Sequence, residues 1–73
     1  MINYYTEVFH NKGEKRFEIF LTLFGKSYRL SHTFEYFLVS DMLIAKENAN
    51  EYSIELLNDL QKLEDTDGLH NNF

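Results

Sequence analysis

The sequence contains no cysteine, no proline and no tryptophan, and only three glycines in 73 residues. Without cysteine, neither a disulfide framework nor a thiolate metal site can stabilise the fold. A chain of this length buries only about 60% of the surface that its unfolded form exposes, so the hydrophobic core is small. We therefore expect one small domain over residues 1–73, with modest stability.

Long hydrophobic runs are also missing from the chain. The longest apolar stretches fall far short of the ~20 residues that a membrane-spanning helix needs. The N-terminal stretch MINYYTEVF has neither the basic region nor the apolar region of a secretory signal. These two features predict a cytoplasmic protein that has no contact with a membrane.

Catalytic and cofactor-binding patterns are absent as well. The three histidines, His10, His32 and His70, stand far apart, and no hydrolase or zinc-enzyme motif surrounds them. The glycines are isolated from one another, so no glycine-rich loop is present to hold a phosphate group. The sequence therefore predicts a protein that is not an enzyme and that binds neither a metal nor a cofactor.

The first half of the chain shows the period-2 alternation that is typical of β-strands. Residues 2–10 are rich in aromatic and branched side chains, and residues 15–24 alternate over their whole length. The polar segment between them includes Gly13, which is available for a positive φ. These features predict an antiparallel hairpin.

A second turn and a third strand follow. Gly25 and Lys26 suit a two-residue loop in which glycine at the first central position favours a type II′ turn. Alternation through residues 27–39 predicts a strand that bends near residues 31–33. A helix over residues 33–48 is the alternative, but it would be apolar on nearly all sides and would need burial all round. We prefer the strand.

Residues 41–64 carry the periodicity of an amphipathic helix. Asp41 at its start suits both the N-cap and the helix dipole. Asparagines within residues 48–50 leave open a break into two shorter helices. We expect residues 65–73 to form a frayed tail. The predicted fold class is α+β: a small antiparallel three-stranded β-meander followed by one long, or two short, C-terminal amphipathic α-helices.

Negative charge is concentrated on this helix. Residues 1–40 hold five basic and four acidic groups, a net charge of +1, and residues 41–73 hold two basic and eight acidic groups, a net charge of −6. Four carboxylates recur every fourth residue: Glu47, Glu51, Glu55 and Asp59. Successive members rise about 6 Å along a helix, so the row can imitate the phosphates of a nucleic-acid strand. A solvated helix face is the plainer alternative.

The aromatic residues are more numerous than one small core needs, with five tyrosines and seven phenylalanines. A single helix covers only one side of a sheet, so aromatic side chains on the other side are exposed or lie in an interface. The residues expected there are Phe20, Phe24 and Tyr5 (or Tyr4 in its place), joined by Phe37 and Val39 from the third strand.

The whole profile points to binding rather than to catalysis. The net charge of −5 removes the phosphate attraction on which most nucleic-acid affinity depends, so direct nucleic-acid binding is not expected. A tiny, acidic, aromatic-rich chain of this kind is similar to small phage or mobile-element proteins that inhibit host factors, such as anti-restriction and anti-CRISPR proteins. The resemblance implies an inhibitor that docks on a basic, nucleic-acid-binding surface of a host protein in the host cytoplasm. The alternative is a structural or regulatory homodimer that pairs through its aromatic sheet face.

Overall fold

The computed structural model describes residues 3–65 of the chain. Its elements, in order, are β1 (Tyr4–Asn11), β2 (Arg16–Leu23), β3 (Lys26–Glu35), a 3₁₀ turn (Val39–Asp41) and α1 (Met42–Asp65). The strands form one antiparallel sheet in the order β1-β2-β3. The α+β fold predicted from the sequence, with three strands and one C-terminal helix, is confirmed.

Helix α1 packs on one side of the sheet, which we call the covered side; the opposite side is the open side. Phe17 and Ile19 of β2 meet Ala45 and Ala49 of α1 in the core. The small side chains of Ala45, Ala49 and Ser53 recur every fourth residue and are all buried, which lets the helix backbone approach the sheet closely. Around this centre pack half-buried side chains: Val8, Leu30, Phe34, Tyr36, Met42 and Tyr52.

Two polar contacts fix the helix along β1. The hydroxyl groups of Thr6 and Ser53 are hydrogen-bonded to each other. The Tyr4 hydroxyl donates a hydrogen bond to Gln61 Oε1 at 3.0 Å. Tyr4 therefore belongs to the covered side, which settles the choice between Tyr4 and Tyr5 in favour of Tyr5. The helix is continuous through residues 48–50, so the predicted alternative of two short helices is wrong.

The loop between β1 and β2 uses a residue other than the expected glycine for its left-handed conformation. Gly13 has no positive φ, whereas Lys15 has φ 54°. The Lys15 N–H donates to the Lys12 carbonyl at 3.3 Å, and Asn11 Oδ1 accepts from the Glu14 N–H at 3.2 Å. The turn of residues 12–15 thus ends on Lys15, because that residue must redirect the chain into β2.

The second turn lies one residue earlier than predicted. Leu23 pairs with Lys26, so Phe24 and Gly25 are the central residues, and their φ values of 51° and 81° match a type I′ turn rather than II′. Type I′ is favoured because its twist agrees with that of the flanking strands. Farther along, one residue of β2 faces residues 30–32 of β3 in an irregularity of the register, close to the predicted bend.

Strand β3 ends at Glu35, four residues before the predicted boundary. Arg16 is the first residue of β2 and pairs with Glu35. A further β3 residue, Tyr36, would have to pair with Lys15, which has the left-handed conformation of the first loop. The Tyr36 N–H still donates to the Lys15 carbonyl at 3.1 Å, and no strand residue remains beyond it. The chain then leaves the sheet for the 3₁₀ turn, and α1 begins at Met42, one residue later than expected. The predicted tail, apart from Asp65, lies outside the described residues.

Candidate protein-binding surfaces

The four carboxylates predicted from the spacing lie in one exposed row on α1, which we call the acidic ridge: Glu47, Glu51, Glu55 and Asp59. Because the helix is unbroken, the row is continuous: it rises about 18 Å along the helix axis from first to last residue and turns gradually around the helix. Among the side chains that the structure describes, none of the four takes part in an ion pair. The ridge therefore presents unneutralised negative charge to solvent.

The acidic ridge borders the flank of α1 that faces β3. Tyr52 is half-buried there, with its ring 5.6 Å from that of Phe34 and 4.7 Å from that of His32. A shallow cavity of about 110 Å³ lies between Tyr52, Glu55, Leu56 and Asp59. Aromatic and aliphatic surface thus lies beside two of the four carboxylates, Glu55 and Asp59.

The aromatic residues predicted for partner contact lie on the open side or at its end. Tyr5 is exposed and Phe20 is half-buried on the open side, and Phe24, 73% exposed, lies in the turn between β2 and β3. The Phe9 ring meets that of Phe20 edge to face, at a centroid distance of 6.3 Å. Sequence reasoning missed Phe9, although its odd position in β1 places it on the same side as Tyr5.

The end of the open side next to the first loop is polar, because Asn11 and Arg16 form the last pair of β1 and β2 and Glu18 follows on the same side. Glu18 is only 4% exposed. Its Oε2 accepts hydrogen bonds from Arg16 Nε at 2.8 Å and from Asn11 Nδ2 at 3.4 Å, and Arg29 Nη1 lies 3.6 Å away. The hydrogen bond from Arg16 lowers the pKa of Glu18, against the opposing effect of burial, with smaller contributions from Asn11 and Arg29. This network occupies one end of the open side, and alternation alone could not reveal it.

Phe37 and Val39 do not lie on the sheet, because β3 ends before them. They are 89% and 78% exposed in the connection to α1. Leu43 and Ile44 in the first turn of α1 are also exposed. The prediction that Phe37 and Val39 extend the open side is therefore wrong. These residues instead lie at the end of the molecule where β3 and α1 meet. Phe37 and Ile44 line the same groove there, whereas Leu43 lies on the other flank of α1 with Val8 and Lys46.

The two histidines within residues 3–65 are engaged in packing. His10 Nε2 lies 2.6 Å from the Tyr36 hydroxyl, and its ring stacks on Phe17 at a centroid distance of 4.4 Å. His32 stacks on Phe34 at 4.5 Å. No group of three or more metal-ligating side chains occurs in this part of the chain. His70 lies outside the described residues.

No protein family, curated protein or solved structure matches this chain. In the part of the chain that the structure covers, no helix combines the length and apolar character needed to cross a membrane. The fold and the surfaces described above are thus the basis for a function.

Proposed function

We propose that this protein is a non-enzymatic binding module whose acidic ridge docks on a basic, nucleic-acid-binding surface of another protein and inhibits it. The observation that carries the proposal is the continuity of α1 through residues 48–50. A break there would turn Glu47 away from the other three carboxylates. The unbroken helix keeps all four in one exposed row.

The physical basis is electrostatic imitation of a nucleic-acid strand. Carboxylates four residues apart are about 6 Å apart along the helix axis, a separation similar to that of neighbouring phosphates. A groove that neutralises phosphates with lysine and arginine would attract such a row, and complementary charge would raise the association rate. The row also disfavours the isolated helix, since each like-charged pair four residues apart costs roughly 0.2–0.5 kcal/mol. A contact that uses these charges explains why they are tolerated.

Displacement of nucleic acid from purified nucleic-acid-binding proteins tests the proposal. We expect this protein to release labelled DNA or RNA from at least one member of a panel, and the affinity to fall as salt rises. The Glu51→Lys/Glu55→Lys variant should bind at least roughly tenfold more weakly, equivalent to about 1.4 kcal/mol.

Glu7→Lys is the control for the single variant Glu51→Lys, since both residues are exposed and both changes alter the charge equally. Glu7 is on the sheet, away from the acidic ridge, so its variant should keep most of the affinity. The ridge mechanism would be contradicted if the partner's affinity did not change with salt concentration. It would also be contradicted if Glu51→Lys and Glu7→Lys lowered the affinity equally.

A second candidate function is self-association through the open side. It is favoured by Tyr5, Phe9 and Phe24, each of which is more than half exposed and contributes apolar area that water disfavours. In that case the acidic ridge would serve solubility alone. Sedimentation velocity at high concentration discriminates, because a strict monomer excludes this candidate.

A further inference from the structure

A groove of about 610 Å³ opens where the β1–β2 loop, the end of β3 and the start of α1 meet. Phe37 and Ile44 belong to its apolar wall, and Glu14, Lys15, Glu35 and Asp41 lie around it. These residues are far apart in the sequence and come together only because β3 ends level with the first loop. The volume is in the range of sites that hold small ligands or short peptide segments.

The groove is held by hydrogen bonds on each of its sides. The Tyr36 N–H donates to the Lys15 carbonyl at 3.1 Å, and the Asp41 N–H donates to the Leu38 carbonyl at 2.9 Å. The Tyr36 hydroxyl lies 2.6 Å from His10 Nε2, which ties the floor of the groove to β1. A partner would therefore meet a formed site and would not need to order it.

The wall of the groove favours an apolar occupant. Phe37 is 89% exposed and Ile44 is 58% exposed, and no described side chain covers them. Burying such side chains against a partner removes apolar surface from water and so favours binding. Val39, which is also exposed, follows two residues after Phe37 in the same connection.

The charges around the groove decide which apolar occupant fits. Three carboxylates (Glu14, Glu35 and Asp41) stand against the single ammonium of Lys15, a local net charge of −2. A second copy of the chain would bring a further net charge of −5, so charge disfavours self-association here. A positively charged partner is favoured instead.

We propose that this groove binds a short segment of a partner protein in which one or two large apolar side chains are flanked by lysine or arginine. Asn48 lines the groove, and Glu51 follows it by three residues in α1, a spacing at which helix side chains are neighbours, so the groove adjoins the acidic ridge. The inference rests on the proposed function, because it assigns a second contact to the same basic partner. The ridge would speed the encounter, and the groove would slow dissociation.

Titration of the isotope-labelled full chain with three capped synthetic peptides tests the inference by nuclear magnetic resonance. The probe is Arg-Lys-Leu-Phe-Lys-Arg. Arg-Lys-Ser-Ser-Lys-Arg keeps its charge without its apolar centre, and Glu-Glu-Leu-Phe-Glu-Glu keeps the centre with reversed charge. We expect the probe to shift the amide signals of Phe37, Ile44 and Asn48, and to bind roughly tenfold more tightly than either comparison peptide.

Two matched variants locate the contact. Ile44→Gln and Ile54→Gln make the same change in the same helix at residues that are 58% and 59% exposed, and Ile54 is outside the groove. We expect Ile44→Gln to weaken probe binding roughly tenfold and Ile54→Gln to leave it nearly unchanged. Both variants should keep the dispersed spectrum of the folded chain, since both residues are exposed.

Several results would overturn the inference. Equal binding of the serine peptide, or signal shifts confined to the acidic ridge, would show attraction by charge alone. Equal binding of the acidic peptide would show that the rim carboxylates play no part. Concentration-dependent signal broadening that Ile44→Gln removes would assign the groove to a second copy of the chain. Failure of Glu51→Lys/Glu55→Lys to affect nucleic-acid displacement, with the probe still bound in the groove, would instead contradict the proposed function.

Discussion

Neighbouring residues of β2 show how differently the two sides of the sheet are built. Ile19 is 0% exposed on the covered side, and Glu18 is 4% exposed on the open side. Ile19 is buried by the alanines of α1, whereas Glu18 is enclosed without a covering helix, by Arg16, Asn11 and Arg29. Apolar packing therefore stabilises the covered side, and hydrogen-bonded charge organises the open side.

This difference bears on where a partner binds. The covered side is occupied by α1, and the polar groups at one end of the open side are already paired in the network around Glu18. Of the exposed aromatic residues, Phe9 pairs with Glu18, whereas Tyr5 pairs with Thr22 and Phe24 lies in the β2–β3 turn, toward the other end of the sheet. The carboxylates of the acidic ridge and of the groove form no ion pair among the described residues, which is why they carry the proposed contacts.

The largest expected effect is on the covered side. Ile19→Ala should lower the free energy of unfolding by about 2–5 kcal/mol, because it removes buried methyl groups and leaves a cavity. A core of this size supplies only about 3–5 kcal/mol of net stability, so the variant should be close to unfolded. Urea denaturation followed by circular dichroism measures the change.

Ile54→Ala is the control for that comparison. Ile54 is 59% exposed, and its truncation should change the free energy of unfolding by less than about 0.5 kcal/mol. Equal losses in the two variants would mean that the core does not lie where the structure places it.

A smaller and pH-dependent effect is expected on the open side. Since the pKa of Glu18 is lowered in the folded protein, its contribution to stability is present above its unfolded-state pKa and is lost as pH falls through the folded-state value. Glu18→Gln should therefore have a lower urea midpoint than the wild type at pH 7. The two midpoints should converge as the solution is acidified below the ordinary glutamate pKa, about 4.3.

Glu7→Gln provides the comparison on the same side of the sheet. Glu7 is exposed and belongs to no ion pair among the described residues, so its replacement should leave the midpoint at pH 7 nearly unchanged. A Glu18→Gln deficit that stays constant down to pH 3 would show that the ionised carboxylate is not what stabilises the open side.

Much of this architecture could be predicted from local pattern, because alternation and helical periodicity are properties of neighbouring residues. The acidic ridge was predictable for the same reason. The end of β3 was not, because residues 36–39 are all aromatic or aliphatic and suit a strand, while the limit is set by Lys15 in a distant loop. The groove also escaped prediction, since Glu14, Glu35 and Asp41 meet only once that limit is imposed.

The second turn shows a further limit of local pattern. Gly25 suits the first central position of a type II′ turn and the second position of a type I′ turn equally well. The choice depends on the register of β2 against β3, in which Leu23 pairs with Lys26. That register places Phe24, and not a glycine, in a left-handed conformation.

The smallest expected effect is a gain in stability at this turn. Phe24 has φ 51° and is 73% exposed, so its ring gains little from packing while its backbone is strained. Asparagine before glycine is the preferred pair in a type I′ turn, and Phe24→Asn should raise the free energy of unfolding by about 0.5–1 kcal/mol. Phe37→Asn, an equal change at an exposed residue outside the turn, should give no such gain. A loss of stability in Phe24→Asn would show that the ring packs on the open side. A wild-type dimer in sedimentation that Phe24→Asn dissociates would instead favour self-association, with the strained residue retained for contact between copies.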